Sequence, residues 1–118
     1  MNVSRGDIVE VDLGGPTDDD AQGSEIYKKR PAFVIQNDIG NQHSLTTIVA
    51  PISGGTTSFP FQVNLPASIP GLQKASYVML DQIRTVDIQA RITRRLGRVN
   101  DQQKMHEIDD AIRVSFDL

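Results

Sequence analysis

Asp7-Ile8-Val9-Glu10-Val11-Asp12-Leu13 is the stretch that decides the fold class. Its period is two. Val9, Val11 and Leu13 fall on one side of an extended chain, and Glu10 and Asp12 fall on the other, which is the pattern of a half-buried strand. Working outward, the pattern recurs. Residues 31–36 are a nearly continuous apolar run and read as a central strand, with Pro31 at its first position, where a sheet tolerates a missing N–H. Residues 46–52 read as another buried strand, and residues 61–65 alternate cleanly. A further strand opens at 77–80 and can run on through Thr85. Residues 90–99 set Ile92 among arginines, as in an edge strand with one wet face. Between these lie turn chemistry at 37–41, loops at 53–58 and 66–71, and an exposed loop at 14–23 carrying Asp18, Asp19 and Asp20. The period changes at the end. Met105, Ile108, Ile112 and Ser115 or Phe116 follow helical spacing behind a cap at Asn100 or Asp101. The expected architecture is a small, strongly bent antiparallel sheet or barrel closed by a C-terminal helix.

The 118 residues suit one domain spanning 1–118, with enough burial for one modest core. There is no cysteine, which excludes disulfide scaffolds, thiolate zinc sites and cysteine nucleophiles together. No apolar run approaches the ~20 residues of a membrane span, and no secretory apolar segment is present. The expectation is a cytoplasmic protein with no membrane partner. The net charge of −3 conceals a pattern. Residues 1–25 carry one basic and seven acidic side chains, residues 26–98 nine basic and three acidic, and residues 99–118 two basic and five acidic. The middle of the chain is a candidate polyanion surface between acidic ends. The plainer alternative is dispersed charge that keeps the protein soluble.

Phosphate-loop, dinucleotide and zinc-hydrolase motifs are missing. His43 reads as a loop residue and His106 as a helix residue, and nothing in the sequence brings them to one phosphate. The informative cluster is Gly23-Ser24-Glu25-Ile26-Tyr27-Lys28-Lys29-Arg30-Pro31. Pro31 fixes its own φ and restricts Arg30 before it, so this guanidinium is better oriented than a loop arginine. Its fork of donors suits phosphate oxygens. The alternative is a strand-end arginine paired with Glu25 or Asp38.

Four stretches carry a resemblance. Arg5-Gly6-Asp7-Ile8-Val9, then Gly23-Ser24-Glu25 before Arg30-Pro31-Ala32-Phe33-Val34-Ile35-Gln36-Asn37-Asp38, Phe59-Pro60-Phe61-Gln62-Val63, and Asp81-Gln82-Ile83-Arg84-Thr85-Val86-Asp87 occur in order. In this order the chain resembles the MazF/PemK family of toxin endoribonucleases from about Arg5 to the terminal helix. The resemblance implies an SH3-like β-barrel with a C-terminal helix, a homodimer, and cleavage of single-stranded RNA at short sequences without a metal or other cofactor. It also implies a MazE-like antitoxin whose flexible tail covers the RNA site. The family's catalytic arginine falls on Arg30 and its partner hydroxyl on Ser53, where many relatives have threonine. The longer loop from Gly14 to Ser24 corresponds to one that lies over the RNA site in this family. Its three aspartates either gate access or form a solvated insertion.

Metal-free RNA cleavage can use the substrate's own 2′-hydroxyl, giving a cyclic phosphate and a 5′-hydroxyl. Arg30 suits the phosphorane charge and is ill suited to taking a proton. Ser53 can donate to a phosphate oxygen. Glu25 is a base or an orienter of Arg30. For binding, Tyr27, Phe59 and Phe61 are candidate stacking platforms, and Lys28, Lys29 and Arg84 candidate phosphate contacts. Gln82 belongs to the stretch that resembles the family's strand near the site, without an assigned base contact. Two rivals stand beside the nuclease. One is a CcdB-like poison of DNA gyrase, which shares the fold. The other is a non-catalytic barrel that binds RNA or protein.

Overall fold

The computed structural model describes residues 1–14 and 28–118. The expected features at Asp18, Asp19 and Asp20, and at Glu25 and Tyr27, lie outside the described residues. Among the described residues, seven strands form one bent antiparallel sheet: β1 (Asp7–Asp12), β2 (Lys29–Val34), β3 (Thr46–Gly54), β4 (Gln62–Leu65), β5 (Ser76–Met79), β6 (Arg84–Asp87) and β7 (Ile92–Arg98). The order is β4-β5-β3-β2-β1-β7, with β6 also paired to β3. β2 is internal and β7 is an edge, both as expected. Among the described residues three helices interrupt or follow the strands: α1 (Asp38–His43), α2 (Ile88–Arg91) and α3 (Gln102–Phe116).

Several expectations are corrected. Residues 37–41 are not a simple turn. Asn37 caps α1, its Oδ1 accepting from Gly40 N at 2.7 Å, because asparagine satisfies a free helix-end N–H as readily as it makes a turn. The strand opened at 77 does not run through Thr85. β5 ends at Met79, a turn closes with Gln82 N donating to Met79 O, and β6 begins at Arg84. Ser53 and Gly54 belong to β3 rather than to a loop. β1 is not half-buried either. Val9, Val11 and Leu13 face one core while Ile8 faces another, so apolar cover exists on both sides.

Among the described residues two cores therefore replace the single one expected. One joins Ile8, Phe33, Ala50 and Ile52 to β4 and β5 through Val63, Leu65 and Val78, and α3 covers it with Ile108 and Ala111. The other lies on the opposite face of β1 and β2, where Val9, Val11, Ala32 and Val34 meet Val86, Ile88 and Ile92. The alternation of β2 serves both, with Phe33 in the first and Ala32 and Val34 in the second. Of the two caps expected for α3, Asp101 is the one used; its Oδ1 accepts from Gln103 N at 2.8 Å. Its far end is tied to the sheet by Ser115 Oγ, which donates to Leu80 O at 2.9 Å.

Candidate nucleic-acid site

The site forms where two strands part. β2 and β3 pair from Val34↔Val49 to Ala32↔Pro51. Arg30 and Ser53 each lie two residues beyond that last pair, on the face of Ala32 and Pro51. The ladder does not continue between them. Past Pro51, β3 takes β5 as partner, with Ser53 opposite Tyr77, while β2 stays on β1, with Arg30 opposite Val11. Each strand carries a proline at the fork, Pro31 and Pro51. Neither can donate to a ladder, and the end of a ladder is where that lack costs least.

The fork opens a groove of about 400 Å³. Pro31, Ser53 and Gly54 form one side, and Lys74, Glu10 and Arg94 stand around it. Two of these charges are mutually engaged. Glu10 Oε1 accepts from Thr93 Oγ1 at 2.6 Å, and Oε2 accepts from Arg94 Nη2 at 3.5 Å. The Thr93 hydrogen bond, helped by the Arg94 and Lys29 charges, holds the Glu10 carboxyl below its ordinary pKa, against a smaller opposing effect of desolvation. The carboxylate that faces the groove is thus ionised and already bonded.

The other candidate residues are distributed unevenly. Lys29, exposed, continues β2 opposite Asp12. Lys28 adopts a left-handed backbone (φ 79°) and its N–H donates to Gly14 O, joining the two ends of the described chain. Arg84 is half-buried and donates from Nη1 to Leu13 O at 3.2 Å, beside Arg91, which donates to Asp12 O at 3.0 Å. Both arginines thereby brace the end of β1. Gln82 is half-buried in the β5–β6 turn. Phe59 and Phe61 stack on each other, centroids 5.1 Å apart and planes 14° from parallel. Phe59 lines a second groove, against α3, together with Glu107, Asp110 and Val114. The structure thus brings Ser53 and Pro31 to one groove, leaves Arg30 on the other face of β2 in the row of Val11 and Ala32, and sets Phe59 on a second groove.

Sequence reading missed Lys74, Glu10 and Arg94 as neighbours of Ser53. No local signal marks them. Lys74 arrives through the β3–β5 pairing, and Glu10 and Arg94 through the β1–β7 pairing. The positive middle of the chain is also less positive in space than along the sequence. Arg95 Nε and Arg98 Nη1 both donate to the buried carboxylate of Asp7, at 3.1 and 2.8 Å. Among the described residues no helix is long and apolar enough to cross a membrane.

Comparison with known proteins agrees with this fold. Residues 4–116 match the family model described as PemK-like, MazF-like toxin of type II toxin-antitoxin system. The chain is 38% identical over 120 residues to endoribonuclease EndoA of Bacillus subtilis (strain 168), covering 100% of this chain and 97% of that one. The fold is similar to MazF (Form-I) from Deinococcus radiodurans, with a TM-score of 0.81 at 20% identity over 100% of this chain and 99% of that one. It is also similar to an endoribonuclease in complex with its cognate antitoxin from Mycobacterial species, with a TM-score of 0.79 at 22% identity over 98% and 96% of the two chains.

Proposed function

The chain belongs to the PemK-like, MazF-like toxin family of type II toxin–antitoxin systems, and on that premise we propose that it is an endoribonuclease that cuts single-stranded RNA at the β2–β3 fork. The observation that carries this reading is the fork itself. It puts the strand-borne Arg30 and Ser53 at corresponding positions, each two residues beyond the last β2–β3 pair. A reacting phosphate needs rigid donors held in advance of the reaction, and strands supply them better than loops.

In the proposed reaction the ribose 2′-oxygen attacks the adjacent phosphorus and the bond to the 5′-oxygen breaks. The products are a 2′,3′-cyclic phosphate and a 5′-hydroxyl. Arg30 spreads positive charge over the non-bridging oxygens as the phosphorane forms, and Ser53 donates a hydrogen bond to one of them. Glu25 is either the group that takes the 2′ proton or the group that orients Arg30. Lys28 and Lys29 would hold flanking phosphates, and Tyr27, Phe59 and Phe61 would stack bases, Phe59 and Phe61 as one pre-stacked pair. Gln82, in the β5–β6 turn, would lie along the same strand of RNA.

The same reading makes 1–118 a single toxin domain that acts in the cytoplasm as a homodimer. A MazE-like antitoxin would restrain it. An acidic, flexible tail is the partner chemistry that the exposed Lys29 and Lys74 favour. Membership of a family with an endoribonuclease relative favours the nuclease over a gyrase poison or a silent binding barrel.

The test is a gel assay of wild type and Arg30→Ala on a long unstructured RNA with EDTA present. Discrete fragments from wild type alone are the expected result. Intact RNA with folded, dimeric wild type would overturn the nuclease and direct attention to gyrase.

A further inference from the structure

β5 places an aromatic side chain directly beside Ser53. Tyr77 is the cross-strand partner of Ser53 on one side and of Asn64, on β4, on the other. Carrying the β2–β3 register two residues past Ala32↔Pro51 brings Arg30 level with Ser53. Arg30, Ser53, Tyr77 and Asn64 therefore form one row across β2, β3, β5 and β4, in the order those strands take in the sheet. The two cores fix the face of this row. Ile52, Val78, Val63 and Leu65, the sequence neighbours of Ser53, Tyr77 and Asn64, enter the core that α3 covers. Arg30 alternates with Ala32 and Val34, which belong to the opposite core. Side chains alternate along a strand, so all four residues of the row lie on the face away from α3.

Neighbouring strands lie about 4.7–4.9 Å apart, so Tyr77 stands about one strand spacing from Ser53. It is half-buried, like Ser53. Its ring lies alongside Gly55, where an added Cβ would be 3.8 Å from Cε1. Beyond it the Asn64 amide is held, Oδ1 accepting from Thr57 N at 2.9 Å and Nδ2 donating to Thr57 O at 3.0 Å. Among the described residues the Tyr77 side chain has neither an aromatic partner nor a hydrogen bond, and the Ser53 hydroxyl is unbonded too. Phe59, by contrast, is stacked on Phe61 and lines the groove against α3.

We infer that Tyr77 stacks a base adjoining the scissile phosphate and so sets the register of the RNA at the cut. This rests on the nuclease reading above. A phosphate taken by Arg30 and Ser53 leaves an adjoining base over the next strand of the row, and β5 presents an aromatic ring there. Such a base must leave its own stack, which a single strand permits and a duplex resists. Tyr77 touches the base and not the reacting atoms, so it acts on binding and on the choice of cut.

The test uses the full chain as wild type, Tyr77→Phe and Tyr77→Leu. Cleavage is followed on an RNA that wild type cuts. Binding is measured on the same RNA with a 2′-deoxyribose at the cut, and on a set of these strands with one abasic nucleotide at successive positions. Tyr77→Leu should weaken binding about ten- to hundredfold, as expected for one lost base–aromatic stack. Tyr77→Phe keeps the ring and should stay within about twofold of wild type. An abasic nucleotide next to the cut should weaken wild type by a similar factor and leave Tyr77→Leu unchanged, a coupling that a purely structural role would not produce. Matched thermal melts confirm that each variant is folded. If wild type cuts, but folded Tyr77→Leu binds as wild type does or remains sensitive to every abasic position, the inference is wrong while the nuclease stands. Equal losses in Tyr77→Phe and Tyr77→Leu would also overturn it. If wild type leaves the cleavable RNA intact, the nuclease reading fails, and this inference with it.

Discussion

At the scale of single residues, Arg30, Ser53 and Gly97 do different work. Arg30→Ala removes the charge that would balance the phosphorane and is expected to lower the cleavage rate by about 10²–10³ or more, measured under single-turnover conditions. Arg30→Lys should recover little, because a point charge does not replace a planar fork of donors. Ser53→Thr should stay active, since the hydroxyl remains and its added methyl limits rotation, while Ser53→Ala should lose rate with the fold intact. Gly97 is of the other kind. A Cβ there would meet the Pro70 carbonyl and stand 2.6 Å from Gly71 N, because β7 packs directly on the backbone of residues 70–71. Gly71 itself has φ +101°, which favours glycine independently of space. Gly97→Ala is expected to cost about 1–3 kcal/mol in urea unfolding, since backbone cannot move aside as a side chain can.

At the scale of elements, α3 shows how far a local pattern reaches. The Asp101 cap and the inward Ile108 were both legible, because capping and helical periodicity are properties of neighbouring residues. Asp101→Ala should cost about 1 kcal/mol and Ile108→Ala about 2–5, read from denaturant midpoints. Phe116, in contrast, lies on the helical repeat yet remains half exposed, at 52%. It comes after the last turn that the sheet can cover. The same limit explains α1 and the break between β5 and β6. Asn37-Asp38 and Asp81-Gln82 suit a cap, a turn or a strand end about equally, and the choice rests with distant partners. Arg5 N, for example, donates to Asp38 Oδ1 at 2.7 Å across 33 residues.

For the whole molecule, charge ties separate strands together. Arg95 and Arg98 of β7 converge on Asp7 of β1, and Arg94 meets Glu10 one turn of the ladder further on. The Arg5 backbone N–H, its largest cause, holds Asp38 below the ordinary carboxylate range, as the Thr93 hydrogen bond does for Glu10. Depressed folded pKa values contribute stability that is fully present above the unfolded carboxylate pKa, near 4, and is lost as pH falls through the lower folded values. Urea midpoints should therefore fall from pH 7 to about pH 3, and the fall should be shallower in Glu10→Gln and Asp38→Asn.

The sequence by itself settled the strand-rich body, the terminal helix and the Arg30-Pro31 corner, because periodicity, capping and proline geometry act over a few residues. The roles proposed for Arg30 and Ser53 come from a resemblance in ordered motifs, and the match over residues 4–116 establishes the family behind it. The second core and the fork past Pro51 depend on folding. They arise because β3 changes partners midway, with β2 on one stretch and β5 on the next. Side chains 20 or more residues apart become neighbours only once those ladders close, and no local pattern of residues encodes which ladder a strand will leave.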